Sequence, residues 1–322
     1  MLARVTRRIA VASALAFALL PAAAQTFPSK PIHFIIGSAP GSVIDTVARQ
    51  IADALGADVH QPVVVENRAS AGGIVALEAV KASPPDGHVL SLVAMPQLSV
   101  SPSLFKKLPY DPLKDFTHVG ILFRGQQLLV VNPSLPATTL ADFVALAAAE
   151  PGRLRYSSPG NGTPTHVLVE HFKHQARIDV QHIPYKGPAA NAAVLSGEVD
   201  ALLEGLGPMQ PFVRAGRLRA LAVTGSRRID SMPEVPTFEE LGYTGIDAVW
   251  VGVVAPRDVP APVVAALNQA LARAVRRPEL RKAFEEAGRV VEPGSPHEMT
   301  ATIAAEIPRW REVVRRAGIS PE

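Results

Sequence analysis

The sequence predicts an α/β protein of two lobes facing each other across a cleft, and three observations lead there. A short β-branched run, a loop rich in Gly, Ser, Pro and Asn, and a segment of helical periodicity follow one another repeatedly. The same scheme restarts in the second half of the chain. A length of 322 residues also exceeds a typical single domain and favours two. Strand–helix alternation of this kind belongs to parallel sheets covered by helices.

In the first half, Ile32–Ile36 leads through Ser38-Ala39-Pro40-Gly41-Ser42 into a helix over Val43–Leu55. Val63–Val65 leads through Glu66–Gly73 into Ile74–Ala82, and Val89–Val93 enters a loop around Met95-Pro96-Gln97. In the second half, Leu154–Tyr156 leads through Ser157–Gly162 into Thr163–His174. Val180–Ile183 leads through Pro184–Pro188 into Ala189–Leu195, and Ala201–Leu203 through Glu204–Gly207 into Pro208–Ala215. After Pro256 the chain reads as helical. Val263, Val264, Leu267, Leu271 and Val275 recur at helical spacing, and a further amphipathic helix runs from Pro296 to Ala317. The apolar runs Leu128–Asn132 and Val249–Ala255 stand where one sheet hands over to the other. The first lobe is therefore expected to combine residues 26–125 with 249–322, and the second to span 126–248. Two crossing segments make a hinge, and a hinge between lobes makes a cleft.

Composition narrows the function. Met1–Arg8 carries Arg4, Arg7 and Arg8 and no acid; apolar Ile9–Leu20, Pro21 and Ala22-Ala23-Ala24 follow. That order predicts a signal peptide over residues 1–24, cleaved near Ala24, and hence a periplasmic protein. The apolar run is shorter than the roughly 20 residues of a membrane span. The formal net charge of +3 is matched by the three leader arginines, so the remainder is neutral and has no clustered basic face for nucleic acid. With no cysteine there is no disulfide framework, thiol nucleophile, thiolate metal site or lipid-attachment cysteine.

In open parallel sheets, ligands sit beyond the carboxyl ends of the strands. Three loops there have helix-start chemistry. In Pro40–Thr46, Ser42 and Asp45 have the spacing of a capping box, and Gly41 lets the backbone approach a ligand. In Ser157–His166, Thr163 is the expected N-cap and Pro164 the first helical residue. The small residues around Ser158, Pro159, Gly160, Asn161 and Gly162 are expected to leave bare N–H donors. In Pro184–Pro188, Lys186 precedes a helix start. Helix N-termini carry unpaired N–H groups and partial positive charge, so several converging on one cleft form an anion site; taken singly, each loop also fits an ordinary βα turn.

No GxSxG, GxGxxG, GxxxxGK or HExxH pattern occurs. Gly160-Asn161-Gly162 begins like a dinucleotide fingerprint, but Thr165 stands at the third glycine position. His166, His171 and His174 share a helix without an acid placed to complete a metal shell, so no metal site and no cofactor is expected. Asp200 and Glu204 flank a strand, and a hydrolase or isomerase using Glu204 and His166 is the rival reading.

The chain also resembles a family: the periplasmic substrate-binding proteins of tripartite tricarboxylate transporters, the Bug family. The similarity runs through Phe27–Ile32, Gln61–Arg68, Ala71-Gly72-Gly73, Pro84–Gly87, Leu108–Pro112, Ser158–Thr163, Pro184–Gly187 and Leu218–Thr224. It implies a Venus-flytrap fold that closes on a small carboxylate and delivers it to membrane subunits of the transporter; a monomer is expected, and the missing motifs speak against catalysis. It further implies main-chain and water-mediated contacts from Pro40–Asp45, next to Ser38 and Ala39, and from Ser158–Thr163. Two departures stand out. Gly41-Ser42-Val43-Ile44 replaces the usual Gly-Gly-Gly-Thr, and Glu204 replaces the frequent Asp. Val43, Ile44 and Met95 beside the ligand would suit an apolar or aromatic body. A sensory partner of a signalling kinase would share the same fold.

Overall fold

The computed structural model describes residues 27–319, so the predicted leader lies outside the described residues. The strands are β1 (Ile32–Ile36), β2 (Val63–Asn67), β3 (Val89–Ala94), β4 (Phe116–Gly125), β5 (Gln127–Val131), β6 (Arg155–Ser158), β7 (Gln181–Pro184), β8 (Ala201–Gly205), β9 (Arg219–Val223), β10 (Val249–Pro256) and β11 (Arg289–Val290). The helices are α1 (Val43–Val59), α2 (Ile74–Lys81), α3 (Ser101–Leu104), α4 (Leu140–Ala149), α5 (Pro164–Ala176), α6 (Ala189–Ser196), α7 (Leu206–Arg214), α8 (Ala261–Val275), α9 (Pro278–Glu286) and α10 (Pro296–Arg316).

Among the described residues the strands form two sheets, one of order β11-β4-β10-β3-β1-β2 and one of order β7-β6-β8-β5-β9. The sheets are mixed, not parallel throughout as expected. β1 runs parallel to β2 and β3, and β6 parallel to β7 and β8. β10 runs antiparallel to β3 and β4, and β5 antiparallel to β8 and β9. The cause is the crossovers. β5 and β10 each enter their sheet from the other one, at the edge where the parallel strands end, and so must run back against them.

Three cores hold this arrangement. The inner one is continuous across both sheets and gathers Leu77, Leu98, Leu129, Phe172, Trp250 and Trp310. A second lies under α1 and α8, where Ile51, Leu55, Leu267 and Leu271 are fully buried; each such side chain contributes about 1.5–3 kcal/mol. A third lies under α6 and α7, with Ala190, Val194, Leu206 and Met209.

The crossovers are tied to one another. Between β4 and β5, the buried Gln126 donates its amide to Arg227 O at 2.6 Å, and its backbone N–H to Gly288 O at 2.9 Å. At the return crossing, Trp250 Nε1 donates to Glu306 Oε2 at 2.8 Å, and Arg309 pairs with Asp247 at 2.8 Å. Burial raises the Glu306 carboxyl above the usual range, against the Ser99 and Trp250 hydrogen bonds that it accepts.

Candidate functional site

The loop after β1 is built around one acid. Ser42, extended at φ −69° and ψ 164°, caps α1 by accepting the Asp45 N–H at 3.2 Å. Only this half of the expected capping box forms. The Asp45 carboxylate turns instead to the Gly41 N–H at 2.8 Å, the Asn67 amide at 2.8 Å and Arg49 at 3.0 Å. Asn67 also donates to Ser38 O at 3.0 Å, binding the loop to the end of β2. The Arg49 guanidinium first, then the Asn67 amide and the Gly41 N–H, hold the Asp45 carboxyl at about 2. Asp45 is buried with its oxygens occupied, so it shapes the loop from beneath. Gly41 and Ala39 are exposed, and Val43 is 67% exposed at the helix start. Gly41 sits at φ +77°, a left-handed conformation that L side chains resist.

The loop after β6 is built around rings. His166, in the first turn of α5, accepts the Gly162 N–H on Nδ1 at 3.1 Å. Its ring stacks on His182 of β7, with centroids 3.8 Å apart and planes at 16°. His182 stacks in turn near Tyr156 of β6 at 4.9 Å. Tyr156 donates its hydroxyl to Glu170 at 2.7 Å, and Glu170 pairs with Lys173 at 2.7 Å. Ser158 Oγ lies 2.6 Å from His182 Nε2 and accepts the Gly160 N–H at 3.2 Å. Burial first, then His182 and Lys173, holds His166 at about 3; burial first, then Lys173, holds His182 at about 4. Both rings are therefore neutral near pH 7.

Two expectations for this loop need correction. The Gly160 and Gly162 N–H groups are not bare, because Ser158 and His166 take them. Thr163 occupies the N-cap position but makes no side-chain cap; its hydroxyl donates to Gly160 O at 2.7 Å. Short hydroxyls compete for nearby backbone, and here the loop's own carbonyl won. Asn161 is exposed, and Pro159 and Thr163 are half-buried.

The remaining candidates divide. Met95 is 2% exposed and packed into the inner core, so it does not stand at a surface as expected. The cause is local: Pro96–Val100 and α3 form helical turns where a loop was expected, and these cover it. Lys186 is exposed on the β7–α6 loop. Glu204 is half-buried and accepts its neighbour Gly205's N–H at 2.7 Å, and burial raises its carboxyl above the usual range. Asp200 accepts the Arg155 N–H at the other end of β8, roughly 13 Å from Glu204 at strand rise, too far for a carboxylate pair. Glu204 follows Leu203, whose side chain packs in the inner core with Val167, Leu168 and Phe172 of α5, whereas Leu202 packs in the third core on the other face. Alternation places Glu204 on the opposite face from His166.

The two sheets' loops meet at Gly162. A Cβ there would lie 2.3 Å from Leu104 Cδ1, which would have to shift, and Gly162 sits at φ +71°, a conformation that L side chains resist. Beside the contact, a cavity of about 920 Å³ brings Asn161, Gly162, Thr163 and His166 together with Gly72, Pro96 and Gln97. Ser38–Asp45, Met95, Ser158, Pro159, Gly160, Lys186 and Glu204 do not line this cavity. Gly72 and Gln97 are not among the expected site residues, although Ala71-Gly72-Gly73 stands in the Glu66–Gly73 loop and among the motifs of the resemblance. Among the described residues no group of three His, Asp or Glu is placed to hold a metal, and no helix is long and apolar enough to cross a membrane.

Comparison with known proteins gives this geometry its family. The model of the tripartite tricarboxylate transporter family receptor, TctC, matches residues 47–319. Protein BugT of Bordetella pertussis is 35% identical over 301 residues, covering 92% of each chain. The structure of R. palustris Rpa4515 with adipate has a TM-score of 0.78 and 31% identity, over 92% of this chain and 100% of that one. MatC of Rhodopseudomonas palustris with bound malate has a TM-score of 0.74 and 30% identity, over 89% and 100%. The two sheets are those of a two-lobe periplasmic binding protein, and the chain belongs to the tripartite tricarboxylate transporter receptor family, a family of solute-binding proteins.

Proposed function

We propose that this protein is a periplasmic receptor that captures a small organic carboxylate between its lobes and presents it, unchanged, to membrane subunits of a tripartite transporter. The observation that carries the reading is the adipate-bound relative of the same family and fold. The loop chemistry supports it. The α1 and α5 helix starts both lie at the strand-end edges of their sheets, where main-chain N–H groups and helix dipoles favour an anion. The ionised Asp45 already fills the first of these with negative charge. The second is braced by neutral rings and carries no charge of its own, so in this reading the carboxylate headgroup sits at the Ser158–Thr163 loop and the start of α5, drawn by the helix dipole and not by the Gly160 and Gly162 N–H groups, which Ser158 and His166 occupy. Exposed Val43 and its neighbour Ile44 lie outside the cavity beside that loop; in this reading they come to face the ligand's body as the lobes close, and there they suit an apolar or aromatic acid.

Absence of catalysis is part of the proposal, and the separation of Glu204 from His166 on opposite sheet faces supports it. Release to the periplasm rests on the leader-like residues 1–24. A thermal-shift panel of adipate, malate, aliphatic monocarboxylates and benzoate-type acids tests the reading. At least one acid is expected to raise Tm by several degrees, and more so for apolar bodies than for malate. A flat response to every acid would remove the reading.

A further inference from the structure

We infer that His166 is a positioning residue for the ligand loop, a fixed-tautomer post on which Gly162 is hung; the binding part of this inference rests on the function proposed above. A ring nitrogen that accepts a backbone N–H carries no proton, so His166 is the Nε2–H tautomer. The ring cannot swing, because it is 4% exposed and lies face to face with His182 at 3.8 Å. His182 is held from the other side by Tyr156, which is anchored through Glu170 to Lys173. The column thus starts at an ion pair on α5 and ends under the loop. It grips that loop twice, at Gly162 through His166 and at Gly160 through His182 and Ser158. Gly162 also packs against Leu104 of α3, so the post holds the loop at a point where the two halves of the molecule touch. His166 thereby acts on the ligand through backbone it holds in place, and the stack supplies rigidity without a charge that would compete for the anion.

Substitutions at the two ring nitrogens separate this role from direct contact. Asn places an acceptor near the Nδ1 position, whereas Gln reaches toward Nε2 and Leu offers neither. In the full mature chain without ligand, the Gly162 amide is expected to exchange at least about tenfold faster in His166→Leu and His166→Gln, the loss of one hydrogen bond. In His166→Asn it should stay within about threefold of wild type. Adipate affinity should follow the same order. Equal protection of Gly162 in wild type and His166→Leu would overturn the inference, as would adipate binding lost in His166→Asn but kept in His166→Gln. If the leucine variant does not fold, the long-range ¹⁵N–¹H spectrum of the wild-type imidazole decides: the Nε2–H pattern is expected, and a protonated Nδ1 refutes it. The amide and ring measurements need no ligand, so a wild type that binds none of the acids in the panel would count against the proposed function alone.

Discussion

The loops after β1 and β6 stand at matching places in their sheets, and they are held by opposite electrostatics. The first is organised by a buried, ionised carboxylate, Asp45, which gathers Gly41, Arg49 and Asn67. The second is organised by neutral aromatic rings, with His166 and His182 taking up Gly162 and Ser158. The difference teaches where an anion can go. A fixed negative charge at a helix start satisfies the dipole and discourages a second one, while an uncharged brace leaves the dipole to the ligand.

The largest effect that sharpens this comparison is Gly160→Val. Gly160 has φ +145°, outside the range of L residues, while a Cβ there meets only atoms 4.0 Å away. The Cβ is accommodated, but the backbone must move, at about 1–3 kcal/mol. If the headgroup sits there as proposed, displacing the loop costs at least two hydrogen bonds to it, about 1.5–3 kcal/mol each. Calorimetry should show affinity reduced at least about a hundredfold, since 1.4 kcal/mol is tenfold. Gly41→Val, strained in the same way at φ +77° with open space around its Cβ, should cost about tenfold. The reverse order would place the headgroup on the first loop and break the comparison.

Much of this was legible in the residues. Strand–loop–helix alternation located β1, β6 and β8, and Ser42 and Pro164 marked two helix starts to within a residue. The mixed sheet order was not legible, because strand direction is set by where the chain crosses between sheets. The long strand β4 was missed, since Phe116–Gly125 is buried almost throughout and shows no alternation. So was α4, although Thr139 and Asp142 form a complete capping box. At the site, the sequence showed which loops bear helix starts but not what lies beneath them. His166 and His182 are 16 positions apart, and only the parallel pairing of β6 with β7 and the packing of α5 bring their rings together.

A smaller effect separates the loops by pH. Unfolded histidines titrate near 6.5, whereas His166 and His182 are held at about 3 and 4 by burial among each other, Tyr156, Glu170 and Lys173. The unfolded chain therefore binds more protons below pH 6.5. This part of the stability is complete above that pH and is lost as pH falls toward 4 and 3. Asp45, lowered from 3.8 to about 2, contributes stability that persists to about pH 4 and is lost only below it. Urea unfolding between pH 7 and 4 should thus be less pH-dependent in His166→Asn than in wild type, and unchanged in slope in Asp45→Asn. Equal slopes for all three would mean that the ring column does not titrate as a buried unit. The smallest effect is expected for Lys186→Ala. Its ammonium is exposed and screened, so affinity should change less than about threefold. A tenfold loss would assign the headgroup to a side-chain cation instead of the main chain.

Native mass spectrometry shows whether the protein holds an acid without altering it. The mature chain is equilibrated with the acid that most raises its Tm, then sprayed from volatile buffer at several incubation times. The account predicts a monomer carrying one molecule of that acid, with the acid's mass unchanged at every time point. A growing product mass, or a protein that retains no acid at saturating concentration, would contradict it.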